Sequence, residues 1–171
     1  MNEDVIMVDP YDHQIGTMEK MEAHRSGTLH RAISIILFNE RGEMFLQKRA
    51  KGKYHSAGLW SNACCSHPRP GEHTNEAAIR RTKEELGIDV TLTFAYSFIY
   101  KATLDNNLIE HELDHVYIGR ADGGFNINPD EIEDWKYLSV DKIREEINID
   151  PSLYTYWFKI IIAQNKFCQP V

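Results

Sequence analysis

The sequence has no long hydrophobic run and few cysteines. Its longest apolar stretches, residues 35–38 and 160–163, are far shorter than the roughly 20 residues that a membrane-spanning helix requires. Because no basic segment followed by an apolar one opens the chain, we expect a cytoplasmic protein that does not associate with membranes. The three cysteines are an odd number and two of them are adjacent, which does not indicate a disulfide framework.

The chain also lacks an excess of positive charge. Its 26 acidic and 19 basic residues give a net charge of −7, which argues against binding to a nucleic-acid backbone. We therefore expect a small-molecule partner and no nucleic acid, and a phosphorylated ligand would need local cations. The densest basic cluster is 48–53, for which a solvated turn is the alternative interpretation.

The length of 171 residues and the apolar content of 42% suit one buried core. We expect a single domain over 1–171, a monomer or weak dimer, with 1–28 as a polar lead-in whose shape the sequence does not reveal. The remaining pattern predicts mixed α and β structure, with antiparallel hairpins around one central helix. The predicted strands are 32–38 with 44–49 as its hairpin partner, 90–102 with 108–118, and 135–138. The predicted helices are one capped by Thr74 or Asn75 and ended by Gly87, one over 140–147 after Ser139, and one after Pro151.

Two stretches carry an unusual density of chemical groups. Residues 58–68 hold a thiol, a metal-ligand type and a large aromatic ring, which taken alone also suit a thiol hydrolase or a zinc knuckle. On the predicted strand 108–118, alternation places Glu110, Glu112 and Asp114 on one face. These acids repel one another unless a cation lies between them, and a solvent-facing edge strand is the alternative.

The segment 72–88 resembles the Nudix box, with Glu72 followed after seven residues by Arg-Arg-Thr-Lys-Glu-Glu-Leu-Gly-Ile. Ser66 stands where the box has its first glycine, and Arg81 stands where it has the first glutamate of Arg-Glu. These departures, the Cys-x-His-Pro block at 65–68 and the Glu110-x-Glu112 pair are together similar to the type I isopentenyl-diphosphate isomerases. The resemblance covers approximately 19–157.

The resemblance implies a mixed α+β fold of Nudix type, in which a mixed or antiparallel sheet is sandwiched by helices around a central Nudix helix. It implies interconversion of isopentenyl and dimethylallyl diphosphate, with Cys65 and Glu112 as the catalytic pair and Tyr100 beside them. The five metal ligands that it implies are His24, His30, His67, Glu110 and Glu112, with manganese, zinc or magnesium as the ion. His24 would come from the lead-in.

Three further implications concern the substrate. Glu85 would bind a magnesium ion that also meets the diphosphate. The cations around the diphosphate would be Lys20, Arg49, Lys53 and Arg81. Tyr100 and Trp157 would line the pocket for the carbon chain, and Cys64 would be a small packed residue.

The implied reaction needs an acid and a base that face each other across the substrate. A cysteine with an ordinary pKa of about 8.5 is protonated at neutral pH, but which of Cys65 and Glu112 protonates the substrate stays open. Aromatic rings stabilise a carbocation by up to about 2 kcal/mol each, and Trp60, Tyr100 and Trp157 are the candidates.

Two other functions remain open at this point. A Nudix pyrophosphohydrolase acting on a nucleoside diphosphate derivative is suggested by Glu72, Arg80, Glu84 and Glu85. The other is a non-catalytic module that binds a diphosphate or a metal.

Overall fold

A computed structural model describes residues 3–167. Its strands are β1 (Asp4–Val8), β2 (Gln14–Glu19), β3 (His30–Phe38), β4 (Met44–Arg49), β5 (Trp60–Ser61), β6 (Cys64–Ser66), β7 (Leu92–Thr103), β8 (Ile109–Arg120) and β9 (Ile132–Leu138). Its helices are α1 (Lys20–Ser26), α2 (Thr74–Leu86), α3 (Val140–Ile149) and α4 (Tyr156–Gln164), with short 3-10 turns at Asp105–Asn107 and Pro151–Leu153. Cys168 lies outside the described residues.

Strand β3 is the centre of the sheet. It pairs in parallel with β8 along its whole length, and antiparallel with β1, β4 and β6. Strand β7 continues the sheet beyond β8, and β9 continues it beyond β4. Because β3 is covered on both faces, it reads as a nearly continuous apolar run.

The predicted antiparallel hairpin between β3 and β4 is present but short. The two strands share the single pair Phe38 and Met44, whereas β4 pairs with β9 from Met44–Leu138 to Arg49–Ile132. Residues 33–35 of β3 are already paired with β6, so β4 leaves β3 after one residue pair. The second predicted hairpin, β7 with β8, is confirmed.

The lead-in forms a hairpin of its own. Strands β1 and β2 pair antiparallel from Asp4–Glu19 to Val8–Gln14, and β1 joins the sheet where Met7 faces His30. Helix α1 follows at once, because the Glu19 carboxylate accepts hydrogen bonds from the backbone N–H groups of residues 21 and 22. The polar lead-in therefore carries α1 to the edge of the central strands.

Helix α2 begins at Thr74, and its N-cap is His73 rather than Thr74 or Asn75. The Glu76 carboxylate accepts from the His73 backbone N–H, which satisfies a donor that the helix itself leaves free. The helix ends at Gly87, whose φ is 71°. A Cβ there would approach the Cβ of Asn126 to 2.6 Å, so both the turn and the close contact require glycine.

Helices cover both faces of the sheet. Ile143 of α3 and Phe158 and Ile161 of α4 pack with Ile36 and Met44 on one face. On the other face, α2 buries its apolar side chains, Ala77, Ala78 and Leu86, together with residues from β3 and β4. The predicted mixed α+β architecture is confirmed. Over residues 3–167, no helix combines the length and the apolar character needed to cross a bilayer.

Candidate active site and metal centre

A cavity of about 870 Å³ opens where α1, β3, β6, β8 and the loop after β4 meet. It collects most of the side chains that the sequence singled out. Those that line it are Lys20, Arg49, Lys53, Cys65, His67, Arg81, Tyr100, Glu110, Glu112 and Trp157.

A buried cluster of imidazoles and carboxylates forms one wall. Alternation along β8 points Glu110 and Glu112 to the same side, and the register of β3 with β8 sets His30 opposite Glu112. The His24 Nε2 lies 3.5 Å from Glu110 Oε2, and the His30 Nε2 lies 3.5 Å from Glu112 Oε1. The His67 Nε2 is 2.9 Å from the same Glu112 oxygen. All five predicted metal ligands therefore meet in one place.

The histidine rings are held in the orientation that a metal site needs. The Nδ1 of His24 donates to the carbonyl of Lys20 at 2.6 Å, and that of His30 donates to the carbonyl of Thr28 at 2.8 Å. Each ring then directs its Nε2 at the carboxylates, and neither Nε2 makes a hydrogen bond to a described residue. Burial lowers the pKa of His67 to about 4, so this imidazole is neutral at neutral pH.

These donors fit a divalent cation. Ligand atoms of His24, His30, His67 and Glu112 all lie within 4.8 Å of one another. Burial alone raises the pKa of Glu112, but the imidazoles of His30 and His67 outweigh it and hold that pKa well below its usual range. Imidazole nitrogens and carboxylate oxygens are ligand types that manganese, zinc and magnesium accept in proteins.

Cys65 also lines the cavity and lies on β6. Its Sγ accepts a hydrogen bond from Trp157 Nε1 at 3.0 Å and donates one to Asn62 Oδ1 at 3.1 Å. The Asn62 amide nitrogen donates to the carbonyls of Ile35 and Cys64, which fixes the direction of its oxygen. Burial raises the pKa of Cys65 to about 12, so the group is a protonated thiol at neutral pH.

Tyr100 supports Glu112 from the neighbouring strand. The two residues are direct partners in the pairing of β7 with β8, and the Tyr100 hydroxyl donates to Glu112 Oε2 at 2.7 Å. Burial raises the pKa of Tyr100 well above its ordinary value, so the phenol keeps the proton that it donates.

Comparison with known proteins identifies the family. The NUDIX domain model matches residues 28–158. The chain is 51% identical over 169 residues to isopentenyl-diphosphate Delta-isomerase 1 of Aromatoleum aromaticum, with coverage of 99% of this chain and 96% of that protein. It is 50% identical to the isopentenyl-diphosphate Delta-isomerase of Pectobacterium atrosepticum, with coverage of 94% and 90%. The chain belongs to the isopentenyl-diphosphate Delta-isomerase family.

Solved structures agree on the fold. A Deinococcus radiodurans protein, DR0079, superposes with a TM-score of 0.80 at 18% identity, covering 97% of this isomerase-family chain and all of its own. A MutT protein from Methanosarcina mazei superposes with a TM-score of 0.66 at 19% identity, covering 80% of this chain and 91% of its own. The predicted Nudix-type fold is confirmed.

In this member of the isomerase family, Arg81 joins two carboxylates beside the cavity. It donates to Glu85 Oε1 at 2.6 Å and to Glu131 Oε1 at 3.0 Å, and Lys53 forms an ion pair with Glu131. Burial alone lowers the Arg81 pKa, but Glu85 and Glu131 outweigh it and raise that pKa. Glu85 is buried behind Arg81 and is reached from the cavity through it.

The other two predicted cations lie beside the donor wall, which is the cluster at one wall of the cavity formed by His24, His30, His67, Glu110 and Glu112. Arg49 is buried, with its guanidinium 5.3 Å from the centroid of the Trp157 ring. Lys20 pairs with Glu3 at 2.6 Å, above the ring of Tyr54. All four predicted cations therefore reach the cavity of this isomerase-family protein.

Four predicted site residues lie outside the cavity lining: His24, His30, Glu85 and Trp60. The first three each contact a residue that lines it. The backbone of Trp60 pairs with Lys48, and its ring stacks under the Lys136 ammonium, which lies 4.4 Å from the ring centroid. Strand β5, which carries Trp60, leads through Asn62 to Cys65 on β6.

Two residues that line the cavity and directly follow the basic cluster 48–53 were not predicted from the sequence. Tyr54 and His55 come after Lys53 and line the cavity, with His55 buried against Glu110. Glu131, in the irregular segment before β9, also lines the cavity. The available signal for His55 was its position two residues after Lys53, which was predicted to bind the diphosphate. No sequence signal indicated Glu131.

Proposed function

We propose that this protein converts isopentenyl diphosphate to dimethylallyl diphosphate by adding a proton at one carbon and removing one at a neighbouring position. The observation that carries the proposal is one cavity that holds a protonated thiol, an ionised carboxylate and a wall of cations. Cys65 keeps its proton and Glu112 has lost its own, as a two-site proton transfer requires.

The surroundings of the pair support a cationic intermediate. The rings of Tyr100 and Trp157 line the cavity and offer faces worth up to about 2 kcal/mol each to a desolvated cation. Trp157 also holds the Cys65 sulfur by a hydrogen bond, so the same side chain would position the thiol and shield the substrate.

The diphosphate would lie against Lys20, Arg49, Lys53 and Arg81. Their ion pairs with Glu3 and Glu131 keep three of these side chains, Lys20, Lys53 and Arg81, in place before a ligand arrives. This arrangement lets an acidic protein hold an anionic substrate through local charge.

The cofactors in this proposal are divalent cations. Those at the donor wall would be held by His24, His30, His67, Glu110 and Glu112, with manganese, zinc or magnesium all compatible with nitrogen and oxygen donors. A bound cation there supplies a fixed positive charge that sets the proton affinity of Glu112. We further propose that Glu85 contributes to a magnesium site for the diphosphate, and we retain the predictions of a cytoplasmic protein that is a monomer or weak dimer.

The proposal is tested by replacing the two adjacent cysteines separately. Cys65→Ala removes the cavity thiol and should lower turnover of isopentenyl diphosphate by about 10²–10⁴-fold, the usual contribution of a positioned acid or base. Cys64→Ala is the matched control, because Cys64 packs into the core beside α2 and should keep turnover near that of the wild type. Product is measured as dimethylallyl diphosphate, together with exchange of solvent deuterium into substrate. Near-normal turnover by Cys65→Ala contradicts the proposal.

The hydrolase alternative gains little from the box residues. Glu72 is held by Arg80 in two hydrogen bonds of 2.7 and 2.8 Å, and Glu85 accepts from Arg81. Phosphate release from a panel of nucleoside diphosphate derivatives measures this alternative directly, and we expect none above background.

A further inference from the structure

His55 contacts the donor wall from outside the predicted ligand set. Its side chain is only 3% exposed, and its Nε2 lies 2.6 Å from Glu110 Oε1. The other oxygen of Glu110 faces the Nε2 of His24 at 3.5 Å. Ligand atoms of His24, His55 and Glu110 lie within 4.8 Å of one another, and these three residues form a second donor set that shares His24 with the first.

The polar atoms of this second set lack hydrogen bonds. His55 Nε2 is buried without a hydrogen-bonding partner among residues 3–167, although it lies 2.6 Å from Glu110 Oε1. The Nε2 of His24 and the Oε2 of Glu110 are also buried without a hydrogen-bonding partner among residues 3–167. Buried polar atoms of native proteins are almost always satisfied, so several unsatisfied donors that face one another indicate a missing ligand.

The ring of His55 is held as the rings of His24 and His30 are. Its Nδ1 contacts the Ser56 hydroxyl at 3.2 Å, and its Nε2 faces the interior. Its backbone carbonyl accepts from Arg49 at 3.2 Å, and its ring packs edge-on against Tyr54 and Trp157. These contacts fix the direction of Nε2 towards Glu110.

We propose that His55 is an additional metal ligand, which binds a divalent cation through Nε2 together with His24 and Glu110. The inference deepens the proposed function and rests on it for the presence of a cation at the donor wall. The ligand atoms of His24, His55 and Glu110 converge on one point, and a divalent cation there would take a lone pair from each of them.

The position of His55 in the chain gives this ligand a second effect. It lies in the segment that also carries Arg49 and Lys53, two of the cations proposed to meet the diphosphate. A cation bound to His55 would tie that segment to α1 and β8. Metal binding would then order the side chains proposed to bind the diphosphate, as well as the acid–base pair of Cys65 and Glu112.

X-ray absorption of the full-length protein loaded with Co²⁺, without substrate, tests the inference. Scattering from imidazole rings counts the histidines bound to the metal. We expect His24, His30, His55 and His67 all to contribute in the wild type, and His55→Ala to lose one imidazole. The variant should also bind Co²⁺ at least about 10-fold more weakly by calorimetry. The control is His13→Ala, whose exposed imidazole pairs with Asp9 and which should change neither reading.

An imidazole count that stays the same in His55→Ala overturns the inference. If that variant does not fold, the wild-type spectrum decides alone, because a count of three imidazoles contradicts the expected set of four that includes His55. Neither measurement involves turnover. A wild-type protein that binds Co²⁺ through His55 but forms no dimethylallyl diphosphate would contradict the proposed function and leave this inference standing.

Discussion

Two groups of buried ionisable side chains border the same cavity and differ in how their polar atoms are satisfied. In the charge cluster, Lys53, Arg81, Glu85 and Glu131, each carboxylate meets a cation at hydrogen-bonding distance. In the donor cluster, which comprises His24, His30, His55, His67, Glu110 and Glu112, three imidazole Nε2 atoms and one carboxylate oxygen have no hydrogen bond within the described part of the chain. The carboxylates of the first cluster are paired with cations of the protein itself, whereas the second cluster leaves nitrogen and oxygen atoms that could bind a metal ion.

The largest effect should come from opening the charge cluster. Arg81→Met leaves Glu85 buried without its cation and should lower the free energy of unfolding by about 3–5 kcal/mol. Arg81→Met combined with Glu85→Met removes both charges and should recover most of that loss. Urea unfolding of the three proteins without metal measures the difference. Equal losses in the single and double variants would show that Arg81 stabilises the fold by packing rather than by pairing.

The donor cluster should respond to metal instead. Mn²⁺ at about 100 times its dissociation constant should raise the free energy of unfolding by about 2.7 kcal/mol, because the native chain binds the ion and the unfolded chain does not. His30→Ala should lose most of this gain, since it removes a buried Nε2 donor.

A variant of the charge cluster provides the control. Arg81→Met should keep the gain from Mn²⁺ even though its metal-free stability is lower, because its charge lies outside the donor cluster. Thermal unfolding with Mn²⁺ and with chelator measures both effects. If His30→Ala gained as much as the wild type, the distinction between the two clusters would fail.

A partly buried ion pair should contribute less to the free energy of unfolding than the buried pair of Arg81 and Glu85. Arg80 holds the pKa of Glu72 below its usual range. Because the folded-state pKa is lower than the unfolded one, the ion pair stabilises the protein above the ordinary glutamate pKa of about 4.3, and this contribution disappears as the pH falls through the folded value. Solvent screens the pair, so Glu72→Gln should cost at most about 1 kcal/mol at pH 7.

The pH dependence and a double-variant cycle check this expectation. The stability difference between Glu72→Gln and the wild type should vanish towards pH 2. In an Arg80→Met background, Glu72→Gln should have little effect at any pH. A difference that persisted in acid would assign the loss to packing of Glu72.

Local patterns were enough to predict the parts of the cavity that depend on a single element. Alternation along β8 put Glu110 and Glu112 on one face, and the cap and glycine signals gave α2 to within one residue at its start. Both predictions depend on neighbours within a few positions along the chain, and periodicity reports such relations directly.

The parts that were not predicted depend on distant contacts. The short strands β1 and β2 have no clear period, and the pairing of β4 with β9 is decided by competition for β3. His55 lies in an irregular segment, where no periodicity indicates which way a side chain points. Trp60 was predicted to stabilise the carbocation because its side chain is aromatic, but its ring lies outside the cavity, next to Lys136.

The parallel pairing of β3 with β8 has a consequence for how the chain folds. It joins residues far apart, as in the hydrogen bond from Ser34 to Asp114 across 80 positions, and a slip of one residue would turn His30 away from Glu112. Such long loops close slowly. The donor cluster therefore does not exist until this register forms, and uptake of a coloured ion such as Co²⁺ during refolding would report the moment at which the two strands align.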